Sequence, residues 1–222
     1  MSLPDSGGES AAGFVLAGGQ SSRMGRDKAL AELAGQLLVT RALGILREAG
    51  LSAEIAGARS PLDNYAPVVE DATAGLGPLG GICAAMASTQ ARHAAFLSVD
   101  MPLLPASLIV YLLRHAQITG AAVTVPSVNG FAQTFPVVVD RAVLPLLETS
   151  LQSGRGGCFA ALQAAADKLG RLFSILPVEL LAQPGHVAHP ACLPAALWFL
   201  NVNGPVELAR AERLHTEFYR VS

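Results

Sequence analysis

Four short stretches carry the residue types that could do chemistry. The first is Phe14-Val15-Leu16-Ala17-Gly18-Gly19-Gln20-Ser21-Ser22-Arg23-Met24-Gly25-Arg26-Asp27-Lys28. A short apolar run stops at two glycines, followed by small polar residues, an arginine, a third glycine and a lysine. Glycines let the backbone turn and expose its N–H groups. Such amides, backed by Arg23 and Lys28, suit a polyphosphate. The second stretch is Ser98-Val99-Asp100-Met101-Pro102, a carboxylate set directly after an apolar run. One carboxylate facing phosphates is the usual protein share of a Mg2+ site, because that ion takes its other oxygens from phosphates and water. Helix capping before Pro102 is a compatible second role for Asp100. The third is Asn201-Val202-Asn203-Gly204-Pro205, where strand alternation sends Asn201 and Asn203 to one side, each able to donate and accept. Capping a helix that starts at Pro205 is the competing role for Asn203. The fourth is Glu70-Asp71, where the Asp71 carboxylate can accept from a purine or a ribose, or open a turn.

The commoner glycine motifs do not fit. A Walker A loop has four residues between its glycines and a Gly-Lys-Ser/Thr end; here Gly19 and Gly25 enclose five, and Arg26-Asp27 precedes the lysine. Gly75-Leu76-Gly77-Pro78-Leu79-Gly80 matches the dinucleotide fingerprint formally, but no apolar strand precedes its first glycine. His186, His189 and Cys192 share a metal-like spacing, yet prolines intervene and no fourth ligand is near, so they are read as coincidence. Spacing assigns no partner to His93, His115 or His215.

Positioning such residues calls for strands that end at a common rim. The periodicity predicts strands at 14–17, 53–57, 94–99, 121–125, 134–139, 172–176 and 197–200, with a brief extended pair at 68–69. Helices are expected at 37–49, 81–90, 106–115, 141–151, 159–168 and 206–214. Segment 29–36 reads as extended with a turn at Gly35, and Pro136 puts its strand at an edge or at that strand's first residues. Residues 177–195 read as an irregular excursion. Alternating strands and helices imply a single three-layer α/β/α domain over 12–222, with a mainly parallel, Rossmann-like sheet. In such sheets ligands sit at the carboxyl ends of the strands.

Composition agrees with that class. Apolar residues make up 51% of the 222 and charged ones 14%, which suits a sheet covered on both faces by alanine-rich helices. A net charge of −2 gives no basic footprint for a nucleic acid polymer. No apolar stretch reaches membrane-spanning length, so no membrane association is expected. Residues 1–11 read as a disordered lead-in without the order of a signal peptide. Three scattered cysteines, Cys83, Cys158 and Cys192, fit a reducing compartment and hence a cytoplasmic enzyme.

The first stretch resembles the signature of the GT-A-like nucleotidyltransferases, Leu-Ala-Gly-Gly-x-Ser-x-Arg-Met-Gly-x-Asp-Lys. Within that group the chain is most similar to the molybdenum cofactor guanylyltransferases, and the likeness is specific at 14–28, 70–81, 98–102 and 201–208. The resemblance implies transfer of GMP from GTP to the phosphate of molybdopterin, with Mg2+ and release of pyrophosphate. It implies that Arg23, Lys28 and Asp100 are catalytic, with Asp100 on the metal. Leu16, Ala17, Gly18, Gly19, Lys28, Asp71, Gly80 and Asp100 would bind the nucleotide, and Asn201 and Asn203 the acceptor. It also leaves room for weakly held partner proteins that deliver the cofactor. One departure stands out: guanylyl members commonly carry a base-reading asparagine at the end of the second strand, where this chain has Ala56-Gly57-Ala58-Arg59. The alternatives are a cytidylyl- or sugar-phosphate nucleotidyltransferase of the same superfamily, or a nucleotide-binding accessory protein without turnover.

Overall fold

The computed structural model describes residues 11–17, 28–57, 61–70, 76–154, 157–183 and 186–219. Strand β1 (Ala11–Leu16) leads, after a 3-10 turn at Lys28–Leu30, to a small hairpin of β2 (Glu32–Leu33) and β3 (Gln36–Leu37). Helix α1 (Leu38–Glu48), β4 (Ser52–Ala56) and β5 (Val68–Val69) follow. Then come α2 (Gly77–Ser88), β6 (His93–Ser98), α3 (Ala106–Thr119), β7 (Val123–Val128), β8 (Phe131–Ala132) and β9 (Val137–Asp140). The remaining elements are α4 (Leu144–Ser153), α5 (Cys158–Lys168), β10 (Phe173–Pro177), the short α6 (Val178–Leu181) and α7 (Ala195–Trp198), and α8 (Pro205–Tyr219).

The strands form one sheet in the order β10-β7-β9-β6-β1-β4-β5, with β8 attached to β7. β1 runs parallel to β4 and β6, β4 to β5, and β7 to β10. Only β8 and β9 run against their neighbours in this sheet. The reason is chain length. Residues 129–136 are all that separate β7 from β9, and a parallel crossover needs a dozen or more. The chain instead doubles back through a two-residue turn at Asn129 and Gly130, both at positive φ, as hairpins favour. Helices α1 and α3 pack on each other, while α2, α4 and α5 form a second group. Both α1 and α2 lie against β1 and β4, so the two groups cover opposite faces. The result is the expected mainly parallel three-layer α/β/α domain.

β1 lies inside the sheet, between β4 and β6. Phe14 and Val15 are fully buried, and the Phe14 ring stacks on Phe96 of β6 with centroids 5.5 Å apart. A side chain at Gly13 would place its Cβ 2.8 Å from the Ser52 carbonyl oxygen, so glycine is what lets α1 and β4 close on β1.

Several elements differ from expectation. β1 already includes Ala11, paired with His93, and residues 1–10 lie outside the described residues. Helix α2 starts at Gly77 rather than near Gly81, with Pro78 in its first turn, where a missing N–H is harmless. β9 lies inside the sheet, and Pro136 sits just before its first residue. The run Leu197-Trp198-Phe199-Leu200 is not a strand. Ala195–Trp198 is a helical turn, closed by the Leu197 amide on the Pro194 carbonyl at 2.8 Å. An apolar run this short fits either state, and tertiary packing decides: Trp198 is buried, its indole donating to the Leu193 carbonyl at 2.7 Å.

At the rim where β6 begins, Asp140 ties elements together. Its Oδ2 accepts from Arg171 at 2.8 Å and Arg92 at 3.3 Å, and His93 lies 3.7 Å away. Its Oδ1 accepts from the Ala142 amide at 2.9 Å. Burial alone would raise the carboxyl's pKa, but Arg171, the Ala142 amide and His93 outweigh it and hold the value below the ordinary 3.8. A carboxyl that binds its proton more weakly folded than unfolded gives stability that is full above the unfolded value. That stability drains away as pH falls below 3.8 toward the lower folded value. In urea titrations, the parent should lose stability between about pH 5 and pH 3 more steeply than Asp140→Asn, which starts roughly 1–3 kcal/mol lower at neutral pH. Parallel pH profiles for the two proteins would refute the assignment.

Candidate active site

β1 and β6 are neighbours in register, Leu16 opposite Ser98, so both stop at the same rim. The Val99 amide donates to the Leu16 carbonyl at 3.2 Å, and the Ala17 amide to the Ala56 carbonyl at 3.1 Å. Leu16 and Ala17 are thus held by the sheet where β1 ends. Asp100 follows β6 by two residues, and Ser98 Oγ donates to its Oδ1 at 2.5 Å. The Val202 amide donates to the Asp100 main-chain carbonyl at 2.8 Å, which fixes the backbone of the third stretch against the second.

Lys28 returns to this rim from the first residue of the 3-10 turn. Its Nζ donates to Asp100 Oδ2 at 2.8 Å and to Asn203 Oδ1 at 2.6 Å. The lysine and aspartate side chains are 16% and 21% exposed, so the pair is partly shielded from solvent but still reachable. An ammonium has three N–H donors, and two are used, leaving one for an arriving anion. Asn201 Oδ1 is buried without a hydrogen-bond partner among the described residues. The Asp100 carboxylate and the unsatisfied Asn201 side-chain oxygen are both hard oxygen donors, the type that Mg2+ takes.

Lys28, Asp100 and Asn203 therefore meet at one rim, and Asn201 directly precedes Val202, whose amide bonds the Asp100 carbonyl. Gly80 is buried within the first turn of α2, not in a loop. Gly18, Gly19, Arg23 and Asp71 lie outside the described residues, as do Ala58 and Arg59. Among the described residues no group of three or more His, Cys, Asp or Glu is placed to hold a metal ion. Sequence reasoning gave His93 and His115 no partners; one lies beside Asp140, and the other has Nε2 2.8 Å from Ser174 Oγ. No spacing rule reaches pairs so far apart in the chain. Burial, with Cys83 adding to it, pushes the Cys158 thiol up to about 12, which keeps it from acting as a nucleophile at neutral pH.

A family model described as the MobA-like NTP transferase domain matches residues 13–169. The chain belongs to this family. It is a nucleotidyltransferase. The match covers β1 from Gly13 onward, Lys28 and Asp100; Asn201 and Asn203 lie beyond it and join the site through Lys28 and Val202. The chain is 32% identical over 203 residues to the "Probable molybdenum cofactor guanylyltransferase" of Pelotomaculum thermopropionicum, covering 90% of this chain and 91% of that one. Its fold is that of the molybdopterin-guanine dinucleotide biosynthesis protein A of Archaeoglobus fulgidus, with a TM-score of 0.75, 19% identity, and 93% and 99% of the two chains covered. It is also that of the 2-C-methyl-D-erythritol 4-phosphate cytidylyltransferase of Thermus thermophilus, with a TM-score of 0.62, 15% identity, and 91% and 98% covered. The fold alone therefore does not choose the base. No helix among the described residues is long and apolar enough to cross a membrane.

If the third N–H of Lys28 meets a phosphate, Lys28→Ala should weaken nucleoside triphosphate binding by about 10- to 100-fold, the worth of a charge-assisted hydrogen bond. Binding of the bare nucleoside should stay unchanged. Calorimetric titration of both ligands checks this, and equal losses for the two would show a structural role instead.

Proposed function

We propose that this enzyme transfers GMP from GTP to the terminal phosphate of molybdopterin, releasing pyrophosphate. The observation that carries the reading is the meeting of Lys28, Asp100 and Asn203 at the shared rim of β1 and β6. The name carried by the Pelotomaculum relative supports the choice of donor and acceptor. The account begins with the acceptor. A phosphate monoester has its second pKa near 6 and is largely dianionic at neutral pH, so it needs no strong general base. Its oxygen attacks the α-phosphorus of GTP, a new P–O bond forms, and the bond to the β-phosphate breaks with pyrophosphate leaving.

The protein's share is then positioning and charge. Lys28 meets the phosphates in the ground state and the transition state alike. Arg23, on the same loop in sequence, is proposed to add a second cation, with Gly18 and Gly19 supplying backbone N–H groups. Asn203, held by Lys28, and Asn201 are proposed to orient the acceptor phosphate. Asp100 and Asn201 Oδ1 would hold Mg2+, which, when bound, supplies neutralisation of the charge that builds on the phosphate oxygens. The proposed setting is the cytoplasm, where the three cysteines would stay reduced.

Guanine is proposed over cytosine because Asp71 and the main-chain acceptor at Leu16 would match the N1–H and N2–H donors of guanine. Cytosine lacks that donor pair. The Leu16 carbonyl already takes the Val99 amide, so one lone pair remains for a base. The alanine at the end of β4, in place of an asparagine, is the specific observation that keeps cytosine as the second reading. Competition of GTP against CTP, with molybdopterin as acceptor, is the decisive assay. The expected result is a kcat/KM ratio of about tenfold or more in favour of GTP, the worth of one or two buried hydrogen bonds. A preference for CTP would overturn the base assignment, and pyrophosphate release only with sugar phosphates would overturn the acceptor.

A further inference from the structure

We propose that His189 is a positioning residue that fastens the Asp100–Leu104 loop to the segment carrying Asn201 and Asn203. His189 lies between α6 and α7 and is buried. Its Nδ1 lies 3.1 Å from the Ala191 amide nitrogen and 3.4 Å from that of Leu193, and its Nε2 lies 3.1 Å from the Leu103 carbonyl oxygen. Amides only donate and a carbonyl only accepts, so the contacts themselves assign the proton. Nδ1 carries the lone pair, and Nε2–H donates to Leu103. Burial lowers the pKa of His189 below the ordinary 6.5, against the opposing pull of the Leu103 carbonyl, so the ring stays neutral near pH 7.

The contacts close a circuit around the site. The Leu193 peptide bonds His189 through its amide and Trp198 through its carbonyl, at 2.7 Å from the indole nitrogen. The imidazole stacks on the Trp198 ring with centroids 6.1 Å apart and planes 24° apart. Trp198 precedes Asn201 by three residues, and Leu103 follows Asp100 by three. The Val202 amide on the Asp100 carbonyl closes the ring of bonds at 2.8 Å. Ser107 Oγ on the Ala188 carbonyl, at 2.6 Å, anchors the same excursion to the first turn of α3. Without the Nε2–H bond, the main-chain tie that remains between the Asp100 loop and the Asn203 segment among the described residues is the one at Val202, with the shared Lys28 ammonium as the side-chain link. A shift there moves Asp100 against Asn203, the two acceptors that hold Lys28, and transfer chemistry tolerates well under an ångström of such movement.

Two substitutions separate this role from simple packing. In His189→Asn the side-chain oxygen falls near the Nδ1 position and can still accept the Ala191 amide, but nothing reaches Leu103. In His189→Gln the amide nitrogen falls near Nε2 and can restore the bond to Leu103. Both variants lose the ring and its stacking on Trp198, so their global stabilities should be alike. Hydrogen exchange of the Val202 amide, corrected for global unfolding, should be roughly three- to tenfold faster in His189→Asn than in His189→Gln, the equivalent of one hydrogen bond. Equal exchange in the two variants would overturn the proposal. Turnover should follow the same order. That kinetic arm rests on the proposed transfer reaction; if the parent shows no pyrophosphate release, that reading fails while the exchange result still decides the role of His189. Should neither variant fold, the 15N spectrum of the parent's imidazoles decides. A neutral ring protonated on Nε2 with slow exchange supports the clasp, and a proton on Nδ1 overturns it.

Discussion

The hydrogen bonds from the Lys28 ammonium to Asp100 and Asn203 draw together parts of the chain separated by 72 and 175 residues. A charge largely removed from water is costly without a partner, and here each charge supplies the other's. The pairing keeps a cation and a carboxylate at one partly shielded site without either collapsing the rim or needing a bound ligand to hold it. Ser98 and Val202 extend the restraint to the other oxygens of Asp100, so the carboxylate has little freedom. Such preorganisation is what a reaction driven by positioning and charge neutralisation requires.

The sheet exists to bring these groups to one edge. Parallel pairing of β1 with β6 ends both strands together, and their next residues become the floor of the site. Gly13 allows the tight approach of β4, and the stacked pair of Phe14 and Phe96 fixes β1 and β6 face to face. At the other rim, Asp140 gathers Arg92, Arg171 and His93, binding the starts of β6 and β10 to the end of β9. The chemistry and the ionic fastening thus sit at opposite ends of the same strands, and neither has to compromise the other's charges.

Local pattern made part of this legible and withheld the rest. The apolar runs at 14–16 and 94–98, the 3.6-residue spacing of α1 and its stop at Gly50 are written in neighbouring residues, and all appear as expected. Lys28, Asp100 and Asn203 were readable because each directly follows or precedes a recognisable turn. The reversal of β9 depends on the length of residues 129–136, and the Asn129-Gly130 pair was the local signal that could have found it. The turn at Ala195–Trp198 is set by where Trp198 finds a core and a carbonyl, which no window of sequence contains. His189 drew notice only for its spacing from His186 and Cys192. Its partners are a carbonyl 86 residues earlier and two amides of its own loop, so only the folded chain gives it a role.

The proposed role of the Asp100 carboxylate is to supply charge to a metal ion at the reacting phosphates, beyond holding the rim in shape. Asn at this position keeps the size and the acceptor for Ser98 but removes the charge. Steady-state pyrophosphate release by Asp100→Asn, titrated with Mg2+, tests this most directly. The expected result is a fall of about a hundredfold or more at saturating Mg2+, the scale of losing one charge-stabilising group, with the fold retained. Turnover within a few-fold of the parent at saturating Mg2+ would contradict it.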